Sequence, residues 1–200
     1  MVPSSPRDRF DAARLINIAN GLTAARVLLV PYFAYLLISD REKEALLVFA
    51  VCGLTDLLDG LLARWLRQRT LAGALLDPIA DKLLMATAFI VLSYVHIVPL
   101  LLTIMVISRD IIILVGSFLY LLLLDASDIR ATGLSKANTA VQILTVIYFL
   151  SVAAFPAEAR ALGAGAGSPA GGAVAVVCAV TTVASGLQYL YIGIRKLSDA

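Results

Sequence analysis

Long apolar runs separated by short polar clusters dominate the chain. Runs of about twenty apolar residues, enough as helix to cross a hydrocarbon core of about 30 Å, recur at roughly 20–38, 44–64, 72–94, 98–124, 134–155 and 171–193. This pattern predicts an all-α integral membrane protein with six transmembrane helices. Residues 1–18 carry Arg7, Arg9 and Arg14 among Asp8, Asp11 and several apolar side chains, with no apolar stretch ending in a cleavage site. They read as an N-terminal amphipathic, juxtamembrane segment, either an interfacial helix or a disordered tail. Residues 19–200 read as one six-helix domain.

Composition supports the membrane class: 60% of residues are hydrophobic and 15% charged, far from a water-soluble domain. A formal net charge of +2 gives no reason to expect nucleic acid as a partner. Cys52 and Cys178 lie inside apolar runs and read as small hydrophobes. The basic residues are distributed by topology. Arg7, Arg9, Arg14, then Arg64, Arg67, Arg69, then Arg130, Lys136, and finally Arg195, Lys196 all fall on one side of a six-span bundle, against Arg41, Lys43 and Arg160 on the other. The positive-inside rule then puts both termini in the cytoplasm. The cluster GAGAGSPAGG at 163–172 reads as an exterior loop, and no internal repeat supports a solenoid or an inverted-repeat transporter.

Ionisable residues inside spans carry the chemical information, because each is costly in hydrocarbon unless it faces protein or a wet cavity. Asp56, Asp59, Arg64, Asp77, Asp81, Lys82, Arg109 and Asp110 form this set. On helices, Asp56 and Asp59 stand about 60° apart and Asp77 and Asp81 about 40° apart, so each pair shares a face. A short link, Trp65 to Leu71, lets the two faces meet at the cytoplasmic end of spans two and three. Four converging carboxylates repel one another without a cation, and Mg²⁺ or Mn²⁺, one ion or two, resolves the conflict while retaining phosphate oxygens as ligands.

Small residues accompany the acids. Gly60 lies one turn after Asp56, Gly73 one turn before Asp77, and Ala63 one turn after Asp59. Arg64 offers a planar fork for phosphate, and Thr70 stands where an N-cap of span three belongs. Glycines in membrane helices also serve simple packing, and paired aspartates also serve ion or proton relays. A transporter therefore stands as the rival class, although a relay needs neither Arg64 nor the mirrored glycines.

Together these residues spell DxxDGxxAR (56–64), eight residues, then GxxxDxxxD (73–81). The string resembles the signature of the CDP-alcohol phosphotransferase family at every defined position. The six-span plan and NGLTAAR at 20–26 fit the same family. The resemblance implies Asp56, Asp59, Asp77 and Asp81 as metal ligands, with Asp81 also the base that deprotonates the acceptor hydroxyl. It implies Asn20, Thr23, Asp56, Gly60, Ala63, Arg64, Thr70 and Gly73 as the binding site for CDP-diacylglycerol, and a homodimer. DPIADKLL, ISRD, SKANTAVQ and TTVAS are most similar to the eukaryotic-type cardiolipin synthases of that family, which implies phosphatidylglycerol as acceptor and a bacterial cytoplasmic or mitochondrial inner membrane. Phosphatidylglycerophosphate synthases, which use glycerol 3-phosphate, are the next resemblance; they commonly have a lysine where this chain has Asn138. A diester acceptor carries one negative charge and a phosphomonoester nearly two, and losing a lysine suits the diester. Arg26, Lys82, Arg109, Lys136 and Asn138 are the candidate acceptor residues.

Other residues read more plainly. His96 falls at the exterior end, far from the aspartates, as an interfacial residue and not a base. Asp110 beside Arg109 reads as an internal ion pair, Pro78 as a bend in span three, and Tyr189, Tyr191, Arg195 and Lys196 as an interface anchor.

Overall fold

The computed structural model describes residues 18–66, 71–124 and 132–198, and side chains at 25–56, 82–116, 132–193 and 195. No strand occurs among the described residues. The helices are α1 (Ile18–Ile38), α2 (Glu42–Leu66), α3 (Leu71–Tyr94), α4 (Leu100–Leu124), α5 (Gly133–Ala154), α6 (Pro156–Ala161) and α7 (Pro169–Ser198). Six of them coincide with the apolar runs to within a few residues. The short α6 is an addition, a single amphipathic stretch that begins on Pro156, where a missing N–H costs nothing. The N-terminal segment, together with Arg67, Arg69 and Thr70, lies outside the described residues.

The turns at one end of the bundle share one piece of backbone chemistry. After α1, Asp40 adopts φ 56°, and after α3, His96 adopts φ 61°. The N–H of Arg41 reaches the carbonyl of Leu36 at 2.9 Å, and that of Ile97 reaches Leu92 at 2.9 Å. Asp40 and His96 donate in turn to Leu37 and Ser93, at 3.4 and 3.1 Å. Each is a left-handed helix stop that satisfies two terminal carbonyls. Gly163, at φ 66°, closes α6 in the same way. Sequence reasoning placed His96 at an exterior end, and the backbone supplies its role: it is the stop residue of α3. The start of α7 explains part of the glycine cluster, since a Cβ on Gly171 would sit 2.2 Å from the carbonyl oxygen of Gly165. Ser168 caps that helix, accepting from the Gly171 N–H at 3.1 Å.

Packing places α1 against both α2 and α3, α5 against α2, α3 and α7, and α4 against α3 and α7. The apolar core fills the half nearest the α1–α2 and α3–α4 turns. Phe33, Leu36, Phe49, Phe89, Leu92, Phe149 and Leu150 are buried there, with the Phe33 and Phe49 rings 5.9 Å apart. Cys52 and Cys178 are free and buried in the same core, as small hydrophobes should be. Outward faces are equally apolar: Leu28, Tyr35, Leu47, Leu101, Leu114, Leu144, Val180 and Leu187 are exposed. An apolar interior with an apolar exterior is the arrangement expected of helices solvated by lipid. Among the described residues, Gly133–Ala154 and Pro169–Gly193 are long and apolar enough to cross a membrane. Ala25–Ile38 and Lys82–Tyr94 are shorter apolar stretches of α1 and α3.

A left-handed backbone costs an L-residue about 1–2 kcal/mol and glycine far less, although glycine loses about 0.5–1 kcal/mol in chain entropy. The variant His96→Gly should therefore be as stable as the parent, or more stable by up to about 1 kcal/mol. Thermal unfolding in detergent measures it, and a clear loss of stability would show that the imidazole itself is needed.

Candidate active site

The second half of the bundle is built from polar groups. Arg26 of α1 is buried, with its side chain 1% exposed, and its Nη1 lies 3.1 Å from Oδ1 of Asp56 on α2. The Asp56 side chain is 42% exposed. A buried guanidinium thus anchors a carboxylate whose other face is open. The short turn between α1 and α2 makes them antiparallel neighbours, so residues fourteen or so positions before the turn meet residues as far after it. This is why Arg26 finds Asp56.

A larger network joins four helices at the corresponding level. Asp110 of α4 receives Lys82 Nζ of α3 on Oδ2 at 2.5 Å and Arg109 Nη1 on Oδ1 at 2.7 Å. Arg109 is 4% exposed. Its Nη2 donates to Ser135 Oγ of α5 and Ser185 Oγ of α7, each at 2.7 Å. Beside it, Thr182 of α7 donates to Asn138 Oδ1 of α5 at 3.1 Å, and Thr132 donates to Gln188 Oε1 at 3.0 Å while accepting from the Ser135 N–H as the cap of α5. Asn138, Gln142, Thr145, Thr182 and Ser185 are all buried, and the amide nitrogens of Asn138 and Gln142 have no partner among the described residues. Buried polar groups carry a penalty unless bonded, so a polar seam along α5 and α7 is a feature to be explained by what it holds in register.

Four of the five candidate acceptor residues have side-chain partners within the bundle. Arg109 ties α4 to α5 and α7 through Nη2, its expected ion pair with Asp110 is present through Nη1, and its buried Nε has no partner among the described residues. Arg26 pairs with Asp56. Asn138 is turned into the α5–α7 seam. Lys136 is exposed and joins none of these described contacts. Lys82 is 41% exposed and pairs with Asp110. Ser135, Thr182 and Ser185 were not singled out as site residues. Their signal was polar spacing in apolar helices: Ser135, Asn138 and Gln142 repeat at three and four residues, as do Thr182 and Ser185 at three.

The remaining candidates fall on known helices. Asn20 and Thr23 belong to α1, Asp59, Gly60, Ala63 and Arg64 to α2, and Gly73, Asp77 and Asp81 to α3. Their side chains, and that of Pro78, lie outside the described residues, as does Thr70 altogether. Among the described residues no three His, Cys, Asp or Glu side chains converge.

The helical order, the Arg26–Asp56 pair and the motif on α2 and α3 all sit within one matched region, because residues 16–186 match the family of CDP-alcohol phosphatidyltransferases. The chain belongs to that family. CDP-alcohol phosphatidyltransferases are membrane-embedded, in keeping with the apolar outer surface. Human cardiolipin synthase (CMP-forming) is 38% identical over 155 residues, covering 70% of this chain and 52% of that protein. A Schizosaccharomyces pombe protein named as a fusion of cardiolipin synthase (CMP-forming) and a mitochondrial hydrolase is 33% identical over 202 aligned positions, 93% of this chain and 32% of that protein. A Mycobacterium tuberculosis protein named "Probable phosphatidylglycerophosphate synthase" is 31% identical over 191 residues, 92% of this chain and 85% of that protein. The chain thus spans about half the length of the human cardiolipin synthase it matches.

Arg109 makes charge-assisted bonds in three directions that a lysine cannot reproduce, because an ammonium lacks the planar fork. Arg109→Lys should therefore lower stability by about 1.5–3 kcal/mol, read as a lower unfolding midpoint in detergent. An unchanged midpoint would mean that the guanidinium does not tie the helices together.

Proposed function

We propose that this CDP-alcohol phosphatidyltransferase is a CMP-forming cardiolipin synthase, transferring the phosphatidyl group of CDP-diacylglycerol to phosphatidylglycerol. The observation that carries the proposal is the run DxxDGxxAR followed by GxxxDxxxD, divided between α2 and α3, in a chain similar to a named cardiolipin synthase over 70% of its length.

In this reading Asp56, Asp59, Asp77 and Asp81 hold Mg²⁺ or Mn²⁺, one ion or two. Their all-carboxylate chemistry fits a hard divalent ion, which when bound neutralises the pyrophosphate and eases departure of CMP. Asn20, Thr23, Gly60, Ala63, Arg64, Thr70 and Gly73 receive the CDP portion, the small residues giving room and Arg64 a fork for phosphate. Arg26 holds the Asp56 carboxylate in place through the pair at 3.1 Å. Asp81 takes the proton of the acceptor hydroxyl. The acceptor oxygen then bonds to the phosphorus that carries diacylglycerol, and the bridge from that phosphorus to CMP breaks. CMP leaves with the electron pair of that bond, and the proton taken from the acceptor passes from Asp81 to water.

The topology belongs to the same proposal. Six helices cross the bilayer, the site opens to the cytoplasmic side, and both termini are cytoplasmic, supported by the distribution of Lys and Arg. The membrane is the bacterial cytoplasmic or the mitochondrial inner membrane, and the enzyme works as a homodimer. A second reading, phosphatidylglycerophosphate synthesis from glycerol 3-phosphate, is favoured by the mycobacterial relative, which aligns with 92% of this chain. Against it stands Asn138, a buried neutral amide bonded to Thr182 at a position where those synthases commonly carry a lysine.

Purified protein in detergent, given labelled CDP-diacylglycerol, Mg²⁺ or Mn²⁺ and separate acceptors, should form cardiolipin and CMP from phosphatidylglycerol. Asp81→Asn should lower turnover by about 10²–10⁴-fold, the usual worth of a positioned base. Unchanged turnover removes Asp81 from that role, and phosphatidylglycerophosphate without cardiolipin moves the protein to the second reading.

A further inference from the structure

We propose that Gly53 and Thr55 form a yielding point in α2 that sets the angle at which the Asp56 carboxylate is presented. The inference rests on the reading of Asp56 as a metal ligand and adds two positioning residues that act through it. Thr55 directly precedes Asp56. Its Oγ1 lies 2.9 Å from the carbonyl oxygens of both Val51 and Cys52, and its one proton is shared between them. In an α-helix those carbonyls accept the N–H groups of Thr55 and Asp56, so the hydroxyl competes for the acceptor that holds Asp56 in the ladder. Competition of this kind loosens a turn and bends the helix.

Gly53, two residues earlier, has no packing duty within the bundle. A Cβ there would meet nothing within 4 Å, whereas a Cβ on Gly116 would sit 2.8 Å from Cε1 of Tyr189. A glycine that no neighbour requires weakens the helix interior and leaves its backbone free to adjust. Glycine close to a hydroxyl that enters the ladder is a known source of helix bending. Back-bonding alone does not mark the place, since Thr181 of α7 makes the same two bonds, with no glycine and no carboxylate within four residues of it. On α2 both features stand just before a carboxylate that has two demands to meet. Oδ1 of Asp56 lies 3.1 Å from the buried Arg26 guanidinium, and the side chain is 42% exposed. Arg26 fixes one oxygen, and the α2 backbone turns the other. Because Mg²⁺ tolerates little error in ligand direction, a turn that yields lets the carboxylate keep Arg26 and still face the ion.

Direct titration of the full-length protein in detergent with Mn²⁺, the free ion read by electron paramagnetic resonance, tests this apart from turnover. Thr55→Val keeps the branched shape and removes the hydroxyl, and it should raise the Kd for Mn²⁺ by about tenfold, as loss of a group that orients a ligand does. Thr55→Ser, which restores the hydroxyl, should return the parent Kd. Gly53→Ala should unfold at a higher midpoint without metal and yet bind Mn²⁺ more weakly. A merely structural glycine would raise the midpoint and leave the Kd alone. Parent affinity in Thr55→Val overturns the proposal, as does a serine variant no better than the valine one. Should Thr55→Val yield no folded protein, Gly53→Ala decides, and an unchanged Kd there overturns the proposal equally. A parent that binds no Mn²⁺ removes the metal reading and this inference with it, whereas a parent that binds, with variants that bind equally well, removes this inference alone.

Discussion

A charge inside an apolar bundle must be paired, hydrogen-bonded or wet, and this requirement organises the whole molecule. Arg26 and Arg109 are nearly fully buried, and each is met by a carboxylate: Asp56 on the neighbouring helix and Asp110 on the same one. The Arg26–Asp56 pair ties α1 to α2, and the bonds of Arg109 to Ser135 and Ser185 tie α4 to α5 and α7. Apolar packing alone could not do so as sharply. Leucine and valine faces slide past one another in lipid at small cost, since lipid tails solvate them as well as a neighbouring helix does.

The bundle consequently has two halves with different duties. Near the α1–α2 and α3–α4 turns, aromatic and aliphatic side chains close a dry core around Phe33, Phe49 and Phe89, and left-handed stops at Asp40 and His96 end the helices crisply. Toward the opposite end the same helices carry Arg26, Asp56, Lys82, Arg109 and Asp110, and the polar seam of α5 and α7. The dry half supplies rigidity, and the polar half supplies a place where charged lipid headgroups can be handled within reach of a hydrocarbon phase. A lipid-linked nucleotide needs both.

Within the family, the carboxylate motif is common to enzymes with different acceptors, so acceptor choice must reside elsewhere. The Lys82–Asp110–Arg109 cluster joins α3 to α4 beside that motif. It follows the last motif aspartate in sequence, mixes both signs of charge, and leaves one cation partly open. The Asn138–Thr182 bond keeps a neutral amide in the α5–α7 seam.

Much of this was legible in the residues themselves. Hydrophobic runs located six long helices to within a few residues, because membrane solvation demands apolar length and little else. The spacing of Asp56, Asp59, Asp77 and Asp81 placed the acids on α2 and α3, because helical periodicity is local and fixed. Tertiary structure decided partnership. Sequence offered Arg26, Lys82, Arg109, Lys136 and Asn138 as acceptor candidates without their partners, and folding brings Arg26 to Asp56, Lys82 and Arg109 to Asp110, and Asn138 to Thr182. It also showed that His96, read as an interfacial residue, ends α3 as its left-handed stop. Which charge meets which is set by helix rotation and depth across distant parts of the chain, and no one-dimensional pattern records either.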